Sequence, residues 1–450
     1  MRYAKTLGTI ILTGLAAPLC ALAQAQAPAP LQPPAQAPAT QCAPAYYRLA
    51  DGSGVDIAPS DDSHYRWRRL DGTSGLLSRK PDGTWSSTLG WTGRDDGKTV
   101  DLSRCDRGEI RFAGMAGKHL SLATTEKRFV SGDAELAGRL ILPPGRRAAP
   151  IVVLVHGSED SSALRTYALQ RILAAQGVGV FVYDKRGTGL SKGAFTHNIH
   201  QLATDAHAAL ETARSLAGAR AGRIGYYGTS QGGWTAPLAA TFGWADFVIA
   251  GYGLAVSPVD EDREALALDM SRHGFGAAET AKALEIGAAA QAIARSKFQS
   301  GYDALRLVVA KYRDEPWFRF VRGNITGIIL QMPEATLREQ GPRLFAGIIP
   351  DYDPMPVLRT LKTPQLWILG ADDIDAPYLE TYRRLIALKQ AGHPLSIVVY
   401  PGVEHGLYAF ETKGEERLST RQPASLQRLL TDFARGERLA DAYGDARVDR

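Results

Sequence analysis

Six apolar, β-branched runs that lack polar–apolar alternation constrain this chain most: PIVVLVHG (150–157), VGVFVYD (178–184), RIGYYGTS (223–230), FVIAGYG (247–253), QLWILG (365–370) and LSIVVYP (395–401). A strand with one wet face alternates with period two, so a run that stays apolar throughout has to be covered on both faces. Helical stretches such as IHQLATDAHAALETARSLAG (199–218) and YLETYRRLIALKQAG (378–392) stand between the runs. The expectation is an α/β fold over residues 126–450, a mostly parallel sheet with helices on both faces. The rhythm breaks once. From about 257 to 351 no such run occurs, only Ala- and charge-rich helical sequence such as AAETAKALEIGAAAQAIARSKF (277–298). This reads as a helical insertion whose natural role is a lid.

Ahead of the sheet the pattern is different. Arg2 and Lys5 form a positive head, residues 7–19 are apolar and uncharged, and Ala21-Leu22-Ala23 or Ala23-Gln24-Ala25 supplies a small-x-small cleavage site. Residues 1–25 therefore read as a secretory signal peptide, and the mature chain as periplasmic or secreted. The alternatives are a membrane anchor, for which the run is short of the roughly 20 apolar residues a spanning helix needs, and lipidation at Cys20, where Leu19 stands in place of a small residue. Residues 26–41 (QAPAPLQPPAQAPATQ) cannot pack a core and form a Pro/Ala-rich linker.

Residues 42–125 show short aromatic and β-branched runs broken by Asp51-Gly52, Asp71-Gly72, Asp82-Gly83 and Asp96-Gly97. Each Asp-Gly pair is a hairpin signal, most simply a type I′ turn with φ > 0 at both central residues. A small all-β module follows, with Trp67, Trp85 and Trp91 either in its core or on a ligand-binding face. With Cys20 in the leader, Cys42 and Cys105 remain, an even pair that in an exported chain reads as one disulfide tying the module's ends. Two buried thiols are the alternative.

A composition of 45% hydrophobic and 22% charged residues excludes disorder for most of the chain. A net charge of +5 is too small to argue for a nucleic-acid partner. No later segment is long and apolar enough to span a membrane.

Chemistry enters at Gly228-Thr229-Ser230-Gln231-Gly232, a G-x-S-x-G between the RIGYYG run and a helical stretch. A second match, Gly189-Leu190-Ser191-Lys192-Gly193, comes several residues past its strand and no helix follows it. Ser230 is thus the candidate nucleophile. A serine hydroxyl is weak at neutral pH and needs a base, which needs an orienting carboxylate. Downstream, each following a strand run, come Gly370-Ala371-Asp372-Asp373-Ile374-Asp375-Ala376-Pro377 and Pro401-Gly402-Val403-Glu404-His405-Gly406. Both lie at the carboxyl edge of the sheet, where open α/β sheets place their sites.

With these motifs the chain resembles the α/β-hydrolase superfamily, and in particular bacterial serine carboxylesterases and serine aminopeptidase-like hydrolases with an N-terminal β module. The resemblance implies a triad of Ser230, Asp373 and His405, with Asp372 and Asp375 as the competitors for the acid. It implies that the His156-Gly157-Ser158 loop supplies one oxyanion N–H, from Ser158, and that Gln231 supplies the other. It also implies a bracing role for the D-x-R-G-x-G-x-S loop, Asp184 to Ser191.

No metal or other cofactor is expected. His197, His200 and His207 lie close together in sequence but lack an acidic partner at ligand spacing, and there is no G-x-x-x-x-G-K-[ST] loop. A Ser nucleophile also disfavours the branches that use a carboxylate. Three functions remain: an exported carboxylesterase acting on a small ester, a serine aminopeptidase whose lid acids (Asp260, Glu261, Asp262, Glu264) hold the substrate ammonium, and a binding protein with an idle hydrolase domain. The intact set of Ser, His and Asp argues against the last, and a lid segment that is not acidic as a whole ranks the esterase above the peptidase.

Overall fold

The computed structural model describes residues 42–450. The leader and linker expected over 1–41 lie outside the described residues. Eight antiparallel strands open the chain: β1 (Ala45–Leu49), β2 (Gly54–Pro59), β3 (His64–Arg69), β4 (Ser74–Arg79), β5 (Trp85–Leu89), β6 (Asp95–Asp101), β7 (Glu109–Phe112) and β8 (Met115–His119). Each pairs with the next, and β8 returns to β1, so the sheet is a closed barrel. Closure removes both edges, which suits a module too small to cover them otherwise. Tyr47, Val55, Ile57, Trp67, Leu77 and Phe112 fill it, and Cys42 is bonded to Cys105.

Two expectations for this region need correction. At Asp51-Gly52, Asp71-Gly72 and Asp82-Gly83 only the glycine has positive φ. Gly52 N donates to Leu49 O and Leu49 N to Ser53 O, at 3.0 and 2.8 Å. These are three-residue hairpins, a type I turn closed by a glycine bulge, and not type I′ turns. The Asp carboxylate explains the choice: Asp51 Oδ1 accepts from the N–H and hydroxyl of Ser53, and Asp82 does the same with Thr84. The fourth pair, Asp96-Gly97, lies inside β6 and not in a turn, where the β5–β6 register slips between Ser86 and Thr88. It is a bulge.

The second sheet takes up the chain at β9 (Ala123–Ser131) and β10 (Ala134–Leu142), followed by β11 (Ala149–Val155), helices α1 (Ala163–Thr166) and α2 (Leu169–Ala175), β12 (Gly179–Tyr183), α3 (Ile199–Ala217), β13 (Ala221–Thr229), α4 (Gly232–Ala239) and β14 (Phe247–Gly251). Helices α5 (Pro258–Arg272), α6 (Ala277–Arg295), α7 (Tyr302–Tyr312), α8 (Thr326–Gln331) and α9 (Glu334–Leu344) then form an insertion without a strand. After α10 (Met355–Thr360) come β15 (Gln365–Gly370), α11 (Tyr378–Gln390), β16 (Leu395–Tyr400), the strands β17 (Val403–Glu404), β18 (Tyr408–Lys413) and β19 (Glu416–Arg421), helix α12 (Leu426–Arg435) and β20 (Arg447–Asp449).

The large sheet runs β20-β16-β15-β14-β13-β11-β12-β10-β9. The six strands from β16 to β12 are parallel, and they are the six apolar runs; β9, β10 and β20 add antiparallel edges. The two-sided cover appears residue by residue. Ile151, Val153 and Val155 of β11 pack with α3 and α4, while Val152 and Leu154 between them pack with α1, α2 and α12. The insertion has cores of its own, around Ile293 and Ile325 and around Leu266 and Trp317. Among the described residues no helix is long and apolar enough to cross a membrane.

Barrel and second domain meet on backbone hydrogen bonds, on polar contacts and on a small apolar cluster of Tyr46, Ala168 and Ile172. Trp91 N donates to Ser419 O at 2.8 Å and Gln422 N to Gly72 O at 3.0 Å, so the barrel docks on β19. Of the three tryptophans, Trp67 is wholly inside the barrel, Trp85 packs edge-on against Tyr65, and Trp91 sits at the seam between Arg66 and Tyr408.

Candidate active site

Ser230 follows β13 directly and adopts φ +52°, a left-handed conformation that a non-glycine residue holds only at a cost. Its neighbours explain how the turn fits. A Cβ on Gly228 would stand 2.0 Å from Gly232 O, one on Gly232 would stand 2.7 Å from Val155 O, and one on Gly233 would stand 2.6 Å from Gly253 Cα. The glycines let strand, turn and helix approach, and hydrogen bonds from Ser230 N to Gly251 O and from Gly233 N to Ser230 O lock the turn.

The structure brings three of the candidate residues together from three strand ends. His405 Nε2 lies 3.0 Å from Ser230 Oγ, and His405 Nδ1 lies 2.9 Å from Asp373 Oδ2. Asp373 Oδ1 accepts from the N–H groups of Asp375 and Ala376, so the acid is held from both sides. Asp372 does not reach the histidine; its Oδ2 accepts from Gly402 N across the loop. Burial alone would lower the His405 pKa, but the adjoining Asp373 carboxylate outweighs it and the net shift is upward. Tyr252 packs its ring against the imidazole, centroids 4.8 Å apart.

Ser191 stands elsewhere. Its hydroxyl donates to Asp184 O and accepts from Ala137 N, which ties the 184–191 loop to β10. The rest of that loop is equally committed. The Asp184 carboxylate accepts from Ser162 Oγ, Leu164 N and Leu190 N. Arg186 forms a two-point ion pair with buried Asp205, at 2.7 Å in both bonds.

Gly157 borders the serine: a Cβ there would be 3.4 Å from Ser230 Cβ. Ser158 is exposed beside it, and His156 is buried with Nε2 2.5 Å from Tyr183 O. Gln231 occupies the N-cap of α4, where backbone N–H groups lack intrahelical partners. Its side-chain amide nitrogen is 3.3 Å from His197 Nδ1. Burial, with Lys185 nearby, pushes the His197 pKa down to about 4, so that ring is neutral at pH 7. His200 and His207 pack beside Tyr352 and Phe242. Among the described residues no group of three or more His, Cys, Asp or Glu side chains is arranged to hold a metal ion.

Sequence reasoning treats His197 only as a possible metal ligand, leaves Lys185 unremarked inside the bracing loop and passes over Tyr252. Lys185 carried a readable signal, a cation two residues past the apolar strand β12. The contacts that His197 and Tyr252 make near the serine carried none, because they form only on folding.

Six central parallel strands with antiparallel edges make an α/β-hydrolase fold, and at its carboxyl edge a serine on a strained turn after β13 meets an acid and a histidine after β15 and β16. The family model described as serine aminopeptidase, S33, matches residues 146–248. That stretch takes in the 156–158 loop, the 184–191 loop and Ser230, and ends before Asp373 and His405. The quorum-quenching protein AidA of Acinetobacter baumannii is 30% identical over 122 residues, which are 27% of this chain; the chain spans 40% of that relative's length. Among solved structures, the Pyrococcus furiosus esterase PF2001 is similar with TM-score 0.42 and 17% identity, over 64% of this chain and 84% of the esterase. The Mycobacterium smegmatis proline iminopeptidase has TM-score 0.42 and 18% identity over 69% and 98%. The Pyrococcus horikoshii acylaminoacyl peptidase has TM-score 0.43 and 14% identity over 86% and 57%.

Proposed function

We propose that this protein is an exported serine hydrolase that cleaves carboxylic esters through an acyl-Ser230 intermediate. The observation that carries the reading is the hydrogen-bonded line from Ser230 Oγ through His405 to Asp373. In it His405 Nε2 takes the serine proton as Oγ attacks the ester carbonyl, and Asp373 fixes the ring so that Nδ1 keeps its hydrogen. The N–H groups of Ser158 and Gln231 receive the oxyanion. The tetrahedral adduct collapses as His405 returns the proton to the departing alcohol; water, activated by the same nitrogen, then releases the acid and restores Ser230. Helices α5 to α9 serve as a cover that shapes the acyl pocket. The Cys42–Cys105 disulfide supports export, since such bonds persist in oxidising compartments.

A peptidase acting on a free amino terminus is the second reading, and one residue favours it. Of the acids in α5, Asp262 is taken up by Ile325, Thr326 and Gln291, and Asp260 by Ser257 and Arg263. Glu261 bonds Asn324, which also donates to Asp375 O beside the triad. Burial, and then the charges of Asp262, Asp373 and Asp375, hold the Glu261 carboxyl well above the ordinary carboxylate range. A carboxyl whose charged form is disfavoured in this way is a poorer partner for an ammonium, which ranks the ester reading first.

The test is a side-by-side rate assay of the mature chain on short-chain p-nitrophenyl esters and aminoacyl p-nitroanilides, with Ser230→Ala as the blank. Ester turnover that vanishes in the blank supports the first reading. Comparable anilide turnover that Glu261→Gln selectively removes replaces it with the second. Inactivity on both defeats the two together.

A further inference from the structure

We infer that Lys185 is a positioning residue for the oxyanion site, holding and polarising the Gly157–Ser158 peptide from behind. The inference rests on the hydrolase reading above and deepens it. In the loop from Asp184 to Ser191, Asp184 spends its charge on Leu190 N and on Ser162 and Leu164 at the start of α1, and Arg186 on Asp205 of α3 and on Asp133, whereas Lys185 between them turns across to the 156–158 loop. Its side chain is 1% exposed, and Nζ donates to Gly157 O at 2.9 Å. The ring of Phe195, 4.9 Å from Nζ, covers the cation.

The chemistry follows from peptide geometry. In a trans peptide the C=O and N–H point in opposite directions from one plane. A cation on Gly157 O therefore leaves the Ser158 N–H aimed away from Lys185. Drawing electron density toward Gly157 O also makes that N–H a stronger donor, because hydrogen bonds in series polarise one another. His156 pins the start of the same loop to Tyr183 O. The donor is thus fixed before substrate arrives, and preorganised donors are what stabilise developing charge in a transition state. Burying a lysine for one carbonyl is costly for stability alone, since an apolar replacement is often at least as stable.

Burial lowers the Lys185 pKa to about 8, against the opposing charges of Glu159 and Asp160. The other titratable groups that interact with it are His156 and His197, and it favours the neutral form of both.

The test compares wild type with Lys185→Met on a p-nitrophenyl ester, together with inhibition by a boronic acid, whose tetrahedral serine adduct places an oxygen in the oxyanion site. Removing an oxyanion donor outright lowers kcat by roughly 100- to 1,000-fold. Loosening one should lower kcat about 10-fold or more with KM unchanged, and weaken the boronate by the same factor. A kcat and boronate affinity within about twofold of wild type, or a change confined to KM, overturns the inference. If Lys185→Met does not fold, the wild-type pH profile decides: an alkaline fall in kcat near pH 8 supports the role, and a flat kcat to about pH 9.5 overturns it. A wild type that turns over no ester and is not labelled at Ser230 by a fluorophosphonate defeats the hydrolase reading itself, a result distinct from either outcome for Lys185.

Discussion

Arg171 of α2 clasps Asp56 of the barrel strand β2 in a buried two-point ion pair, Nε to Oδ1 at 2.5 Å and Nη2 to Oδ2 at 2.9 Å. The side chains are 7% and 0% exposed, so the seam between barrel and hydrolase sheet contains a charge on each side that only the other neutralises. Removing one partner strands the second away from water. Arg171→Ala should destabilise the protein by about 3–5 kcal/mol, read as a shift in urea midpoint, while Arg171→Met combined with Asp56→Leu should recover most of the loss. A loss below about 1 kcal/mol for Arg171→Ala would show that the seam does not depend on this pair, and equal large losses for the single and the double variant would show that the loss does not come from a stranded charge.

If Ser230, His405 and Asp373 work as the proposed triad, Ser230→Ala and His405→Ala should each lower kcat by roughly 1,000-fold or more with the thermal midpoint retained, because such groups act as a unit. Ser191→Ala removes two hydrogen bonds in the 184–191 loop and should cost about 1–2 kcal/mol of stability. Its turnover should stay near wild type. The reverse pattern of activities would move the nucleophile to Ser191.

On the proposed mechanism the pH profile follows from His405, which would serve as a base only when neutral. Its pKa is raised, since the Asp373 carboxylate outweighs burial. The acid limb of kcat/KM should therefore lie above the ordinary histidine value of about 6.5, with activity lost as pH falls through it. Asp373→Asn removes the raising charge and should move that limb to lower pH while lowering kcat by roughly 10,000-fold. A limb that stays in place would mean that another group sets it.

The Cys42–Cys105 bond closes a sequence separation of 63 residues. Constraining a loop of that length in the unfolded chain is worth about 4 kcal/mol in the loop-entropy account, and measured losses run about 2–5 kcal/mol. Cys42→Ser with Cys105→Ser should lower the melting temperature by that route. The bond lies within the barrel and Ser230 and His405 within the second domain, so ester turnover by the folded protein at 25 °C should persist. Loss of turnover without loss of folding would tie the barrel directly to the chemistry.

The sequence by itself determined the six parallel strands, though not the buried antiparallel strand β10, and which serine stands on an elbow. Both are local properties: apolar runs without alternation demand cover on two faces, and glycines at 228, 232 and 233 are legible as a close approach before any partner is known. For the acid, the resemblance picked Asp373 over Asp372 and Asp375, but only the tertiary structure brings that carboxylate across the sheet edge to His405, 32 residues away. Tertiary structure likewise turned Asp96-Gly97 from an expected turn into a bulge, since barrel closure sets the register of β6 against β5. The placement of Lys185 behind Gly157, and of Arg171 against Asp56, was equally beyond local reading. A buried charge is tolerated only where folding delivers its partner, and that partner lies 28 residues away in the one case and 115 in the other.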